Sequence, residues 1–146
     1  MPITANMTII ANRVFVSHSR KDSGTKGAVR RGLAKVGLKP LFVEELVVGR
    51  PQMAEIKKRI ENSAGFFVFF TRRSTQGVTR DWICFEMGLA KAHGHDIYSW
   101  KRKDVRRENV PVFLPELSKL NEYTTSTPQG VAKLERQVEI AGAKLL

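Results

Sequence analysis

The chain carries one cysteine, Cys84, in 146 residues. A lone cysteine excludes an internal disulfide and leaves a cysteine-based zinc site without ligands. No apolar run approaches the ~18–20 residues that a membrane-spanning helix needs. The opening stretch, MPITANMTIIANRVFVSHS, has no basic segment followed by a long apolar one, so it does not read as a signal peptide. A reducing, cytoplasmic setting without a membrane partner is the expectation. Phosphate-binding loops are missing too: there is no GxxxxGK(S/T), and no GxGxxG follows the first apolar run. GTKG at 24–27 is too short to stand in for either. A Ser-His-Asp hydrolase would need a nucleophile elbow such as GxSxG, which is absent. The histidines, His18, His93 and His95, are not spaced like metal ligands, and no metal is expected. A phosphorelay receiver would want acidic residues after its first strand and an Asp ending its third. This chain has Ser-His-Ser and Thr-Arg-Arg there.

What is present is the balance of a globular domain, 42% hydrophobic and 27% charged, in a chain long enough to bury a core. The net charge of +11 favours anionic partners: nucleic acid, anionic lipid or phosphorylated small molecules. The excess is dispersed except in KRKDVRRE (101–108), which sets five bases against two acids. No aromatic residues are interleaved there to stack on bases, and neither a zinc-finger spacing nor an RNP-type motif occurs. The segment reads as a solvated connection, and nucleic acid is not the expected partner.

Periodicity alternates along the chain. RVFVSHS (13–19) reads as a buried strand. Residues 22–38 carry helical spacing at Val29, Leu33 and Val36, with Gly37 as a stop. KPLFVEE (39–45) is a short strand, and Pro51 opens a helix whose Met53, Ile56 and Ile60 share one side. GFFVFFT (65–71), apolar on both faces, suits a central parallel strand. A polar loop with Thr79 as N-cap leads to a helix over 79–93; HDIYSW (95–100) is a fourth strand. Residues 110–123 hold room for a short helix and an edge strand, and 127–146 form a terminal helix. One domain over 1–146 is expected. Strands and helices in alternation predict a doubly wound α/β domain with a parallel sheet, whose ligands bind beyond the carboxyl ends of the strands.

The helix TRDWICFEMGLAKAH (79–93) holds the chemistry. At about 100° per residue, Trp82, Ile83, Phe85, Met87, Leu89 and Ala90 form a broad apolar arc with Glu86 near its middle. A buried charge without a partner is costly. One reading pairs Glu86 with a neighbouring arginine or a backbone amide. Another gives it catalytic work. Ordinary glycoside hydrolysis takes two carboxylates, but nicotinamide leaves its ribose as a neutral molecule and needs no acid. One carboxylate facing the developing ribosyl cation could suffice, with Trp82 walling the pocket or stacking on a planar ring.

In their order and spacing, RVFVSHSRKD (13–22), GFFVFFTRRSTQGVTRDW (65–82) and WICFEMGLAKA (82–92) resemble the TIR (Toll/interleukin-1 receptor) domain, particularly its bacterial and archaeal forms. The resemblance covers about residues 12–125, with the C-terminal helix at about 128–143 beyond it. It implies a flavodoxin-like three-layer α/β/α sandwich around a parallel five-stranded sheet. It also implies NAD⁺ cleavage to nicotinamide and ADP-ribose or a cyclic isomer, in defence or immune signalling, with NAD⁺ as substrate and no separate cofactor. Glu86 matches the family's catalytic glutamate, and Trp82 lines its pocket. Ser17, His18, Arg20 and Asp22 match the first loop, Glu45 and Arg50 the gating BB loop, and Ser74 the polar residue after the third strand. The partners implied are other TIR domains, in a homo-oligomer or filament. The basic segment 101–110 has no family counterpart. The competing functions are a non-enzymatic TIR scaffold working through self-association and a nucleoside deoxyribosyltransferase-like enzyme. The latter would need a second acidic residue for the nucleobase.

Overall fold

A computed structural model describes residues 12–17, 23–42, 53–72, 75–111 and 120–146, with only the backbone described at 53 and 78. Strands β1 (Arg13–Ser17), β2 (Lys39–Phe42), β3 (Gly65–Phe70), β4 (Ile97–Arg102) and β5 (Asn121–Tyr123) form one sheet. The helices are α1 (Ser23–Ala34), α2 (Met53–Glu61), α3 (Gly77–Ala92) and α4 (Pro128–Lys144), with a 3₁₀ turn at Arg107–Asn109. Spatial order is β2-β1-β3-β4-β5, and every neighbouring pair is parallel. This is the flavodoxin-like doubly wound order.

Alternation along the strands divides the core into two layers. Val14, Val16, Phe67, Phe69 and Trp100 face α1 and α4, where they meet Val29, Leu33, Leu134 and Val138. Phe15, Phe66, Val68, Phe70 and Ile97 face α2 and α3, meeting Ile56, Ile60, Ile83, Met87 and Ala90. β3 is buried along its whole length, as the doubly apolar GFFVFF requires. Each buried aromatic contributes roughly 1.5–3 kcal/mol of apolar transfer. Phe69 stacks on Trp100 with centroids 4.7 Å apart.

Several boundaries differ from the sequence reading. Gly37 does end α1: its φ is +78°, and Leu38 N–H bonds to Leu33 O while Gly37 N–H bonds to Ala34 O, a Schellman closure. α3 begins at Gly77 after Gln76, so Thr79 lies inside the first turn and is not its cap. β4 runs two residues further than expected, through Lys101 and Arg102. Lys101 is therefore buried, although its composition placed it in a solvated connection. Its ammonium finds Val105 O at 2.6 Å, Glu122 Oε2 at 3.1 Å and Arg102 O at 3.3 Å, which replace its water. Thr127 caps α4, its hydroxyl accepting from Gly130 N–H at 3.0 Å. No helix among the described residues is long and apolar enough to cross a membrane.

Candidate active site

The strand order reverses between β1 and β3: β1 connects outward to β2, while β3 connects to β4 on the other side. In such sheets the crevice opens at the carboxyl ends of these two strands. Ser17 is the last residue of β1. It shares a face with Phe15 by strand alternation, which aims its hydroxyl at the α2/α3 layer. In register it stands opposite Val68 of β3, which in turn stands opposite Ser99 of β4.

Glu86 reaches this row from α3. The helix buries Ile83, Glu86, Met87 and Ala90 against the sheet, while Trp82, Phe85 and Leu89 are half-buried. The predicted arc is thus rotated: its aromatic part lies at the rim, because the sheet beneath accepts the Ile83–Met87–Ala90 stripe. Trp82 still packs on the α2/α3 core and stacks on Phe85 with centroids 5.5 Å apart. Glu86 stays inside, only 1% exposed.

Ser17 Oγ donates to Glu86 Oε1 at 2.8 Å, a buried bond between residues 69 apart in sequence. Oε2 is buried without a hydrogen-bond partner, and among the described residues no arginine or backbone amide compensates it. Ser99 Oγ, on the same sheet row, is also buried and unpartnered. Burial pushes the Glu86 carboxyl up to about 8, against the opposing pull of the Ser17 hydrogen bond. Near pH 7 the free protein therefore holds Glu86 mainly as the neutral acid. A cation brought against Oε2 would favour the ionised form. The arrangement can stabilise positive charge developing beside it in a water-poor place.

His18, Arg20, Asp22, Glu45, Arg50 and Ser74 lie outside the described residues. Of the sequence-expected site residues, Ser17 and Glu86 are in contact, and Trp82 lies one turn from Glu86 on α3. His93 caps the far end of α3, beside His95 and Glu61. Among the described residues no group of three His, Cys, Asp or Glu converges as a metal site would. Sequence reasoning missed Ser99; the alternation of IYSWKR, set against a parallel neighbour, is the signal that would have found it.

Neither a family model nor a curated protein sequence matches the chain. Solved structures do resemble it. A diflavin flavoprotein A3 from Nostoc sp. superposes with a TM-score of 0.62 at 11% identity, covering 92% of this chain and 94% of that one. A metazoan TIR-STING receptor from C. gigas, solved in complex with 2',3'-cGAMP, gives 0.60 at 16% identity over 86% of this chain. The chain spans 39% of that receptor's length. The TIR domains of the activated Roq1 resistosome give 0.52 at 16% identity, covering 91% of this chain and 84% of that one. At these identities the likeness is one of fold, shared with a flavodoxin-like protein and with TIR domains.

Proposed function

We propose that the chain is a TIR-type NAD⁺ glycohydrolase or cyclase, releasing nicotinamide and leaving ADP-ribose or a cyclic isomer. The observation that carries this reading is the Ser17–Glu86 pair: one carboxylate, held by one hydroxyl at the reversal of strand order, with its second oxygen unengaged. The TIR-like fold is in keeping with it.

Glu86 is the catalytic residue. Its Oε2, buried in the free protein, is uncovered as substrate enters; it then accepts from the sugar hydroxyls and stabilises the cation formed as the C–N bond to nicotinamide breaks. The bond's electron pair leaves with nicotinamide, so no acid is needed. Ser17 is a positioning residue: it fixes the carboxylate rotamer and lowers its pKa. Trp82 walls the pocket. Arg72 borders an open depression with Gln76, Gly77 and Thr79 at the start of α3, and it offers positive charge to the pyrophosphate. Thr79 and Glu86 are about 10 Å apart along the helix axis at 1.5 Å per residue, a span a dinucleotide covers. First-loop residues His18, Arg20 and Asp22, BB-loop residues Glu45 and Arg50, and Ser74 after the third strand complete the nucleotide contacts, and no cofactor is required besides the substrate NAD⁺.

The runner-up is a TIR scaffold, favoured by the near-complete burial of Glu86. One assay separates the two. Concentrated protein, with and without a crowding agent, is incubated with NAD⁺ and nicotinamide release is followed for wild type and Glu86→Ala. The enzyme reading expects release that the variant loses. No release under any assembly condition, with self-association intact, establishes the scaffold instead. Nucleosides in the same assay test the deoxyribosyltransferase-like alternative.

A further inference from the structure

We propose that a cavity between α2 and the outer strand β2 is a second ligand site, one that binds a small phosphate-bearing anion. It encloses about 320 Å³, with Leu41 on its floor and Arg13, Glu55, Lys58, Arg59 and Asn62 around it. Arg13 opens β1 and Ser17 closes it. The cavity is therefore about 13 Å of strand away from Glu86's hydroxyl partner, at the opposite end of the sheet. The inference stands whether or not Glu86 cleaves NAD⁺.

Among the described residues the charges around the cavity do not balance internally. Among the described residues around it the one acid, Glu55, is engaged by Arg59 at 2.9 Å. Arg13 and Lys58 have no anionic partner among the described residues. Register makes the imbalance sharper. Arg13 stands directly opposite Lys39 on β2, and alternation with Phe15 and Leu41 turns both toward the α2 layer. Like charges opposed across neighbouring strands destabilise a sheet. Among the described residues neither Arg13 nor Lys39 has an ion pair that offsets this repulsion, and a bound anion would.

Cations in the last turn of a helix ordinarily complement its dipole. Here the terminal carbonyls of α2 already have donors. Ser63 Oγ bonds to Arg59 O at 2.7 Å, Asn62 N–H to Lys58 O at 3.0 Å, and Ser63 N–H to Ile60 O at 3.2 Å. Lys58 is not needed there, and Arg13 is not on the helix at all. A guanidinium with an ammonium and a carboxamide beside it is a donor set for phosphate oxygens, which Arg grips in a bidentate fork. The volume lies at the lower end for small-molecule pockets. It fits a phosphomonoester whose apolar part rests on Leu41.

The test is an amide NMR titration with inorganic phosphate, run against chloride at matched ionic strength. Wild type, Glu86→Gln and the double variant Arg13→Gln/Lys58→Gln are compared. Both positions of the double variant are exposed, and its spectrum reports directly that it is folded. Expected are saturable shifts around residues 13, 41, 58 and 62 in wild type and in Glu86→Gln. In the double variant the affinity should weaken about tenfold or more, the scale of one lost charge-assisted hydrogen bond. Shifts that chloride reproduces, or saturable binding that the double variant leaves unchanged, overturn the proposal. So does a single-stranded DNA oligomer that displaces phosphate and spreads its shifts over the surface.

Discussion

Glu86 enters the fold at a cost. Its carboxyl is raised from 4.5 to about 8 by burial, so the folded protein holds a proton that the unfolded chain has released by neutral pH. Stability from this group is fully present below about pH 4.5 and is lost as pH rises toward 8, amounting to no more than about 5 kcal/mol. Glu86→Gln removes the titration while keeping the shape. Its melting temperature should match wild type near pH 5 and exceed it by several degrees near pH 9, read by calorimetry. A wild-type stability that does not fall over this range would contradict the burial argument. In the NAD⁺ reading the ionised form does the work, so kcat/KM should rise with pH through about 8. Ser17→Ala removes the interaction that opposes the shift, moving that limb to higher pH and lowering kcat/KM near pH 7 at least several-fold. Ser17→Thr should restore part of the loss. An unchanged pH profile in Ser17→Ala would remove Ser17 from the positioning role.

At the scale of elements, α1 and α4 approach each other closely at Gly32. A Cβ there would fall 2.6 Å from Glu135 O and 2.9 Å from Val138 Cγ1, and the first of these is backbone that cannot step aside. Gly32→Ala should therefore destabilise by about 1–3 kcal/mol, seen as a lower urea midpoint. Ion pairs also bridge this contact: Arg31 and Lys35 each lie 3.5 Å from Glu135. Half-exposed as they are, each is worth no more than about 1 kcal/mol, so packing decides the helix–helix distance. The helices and strands themselves were legible, because 3.6- and 2-residue periods are local signals. The rotation of α3 was not. Trp82, Phe85 and Leu89 compete with Ile83, Met87 and Ala90 for one buried stripe, and only the sheet surface beneath selects between them. Lys101 escaped for a related reason: its buried ammonium depends on Glu122, which lies on the neighbouring strand.

The whole molecule carries a charge of +11 on a three-layer fold. Excess charge of one sign works against compaction, and salt screens it over about 10 Å near 0.1 M. Raising NaCl from about 20 to about 200 mM should raise the melting temperature by a few degrees, since the few exposed ion pairs that salt weakens contribute less. A fall would show that specific pairs outweigh net repulsion. Strand order also belongs to this scale. Alternating βα units predicted a parallel sheet, and reversal at β1/β3 puts the Ser17–Glu86 pair where doubly wound folds place ligands.

By itself the sequence determined the succession of the described strands and α-helices, the fully buried β3, the basic excess and the single carboxylate on the inner side of α3. Each follows from residue type and short-range period. The short helix expected within 110–123 lies largely outside the described residues. Tertiary structure alone decided that Ser17, 69 residues away, is Glu86's partner, that Oε2 has none among the described residues, and that Arg13 faces Lys39 beside a cavity. Those are pairings across strands and layers. Local periods state which face a side chain takes, but only the packed sheet brings two such faces together.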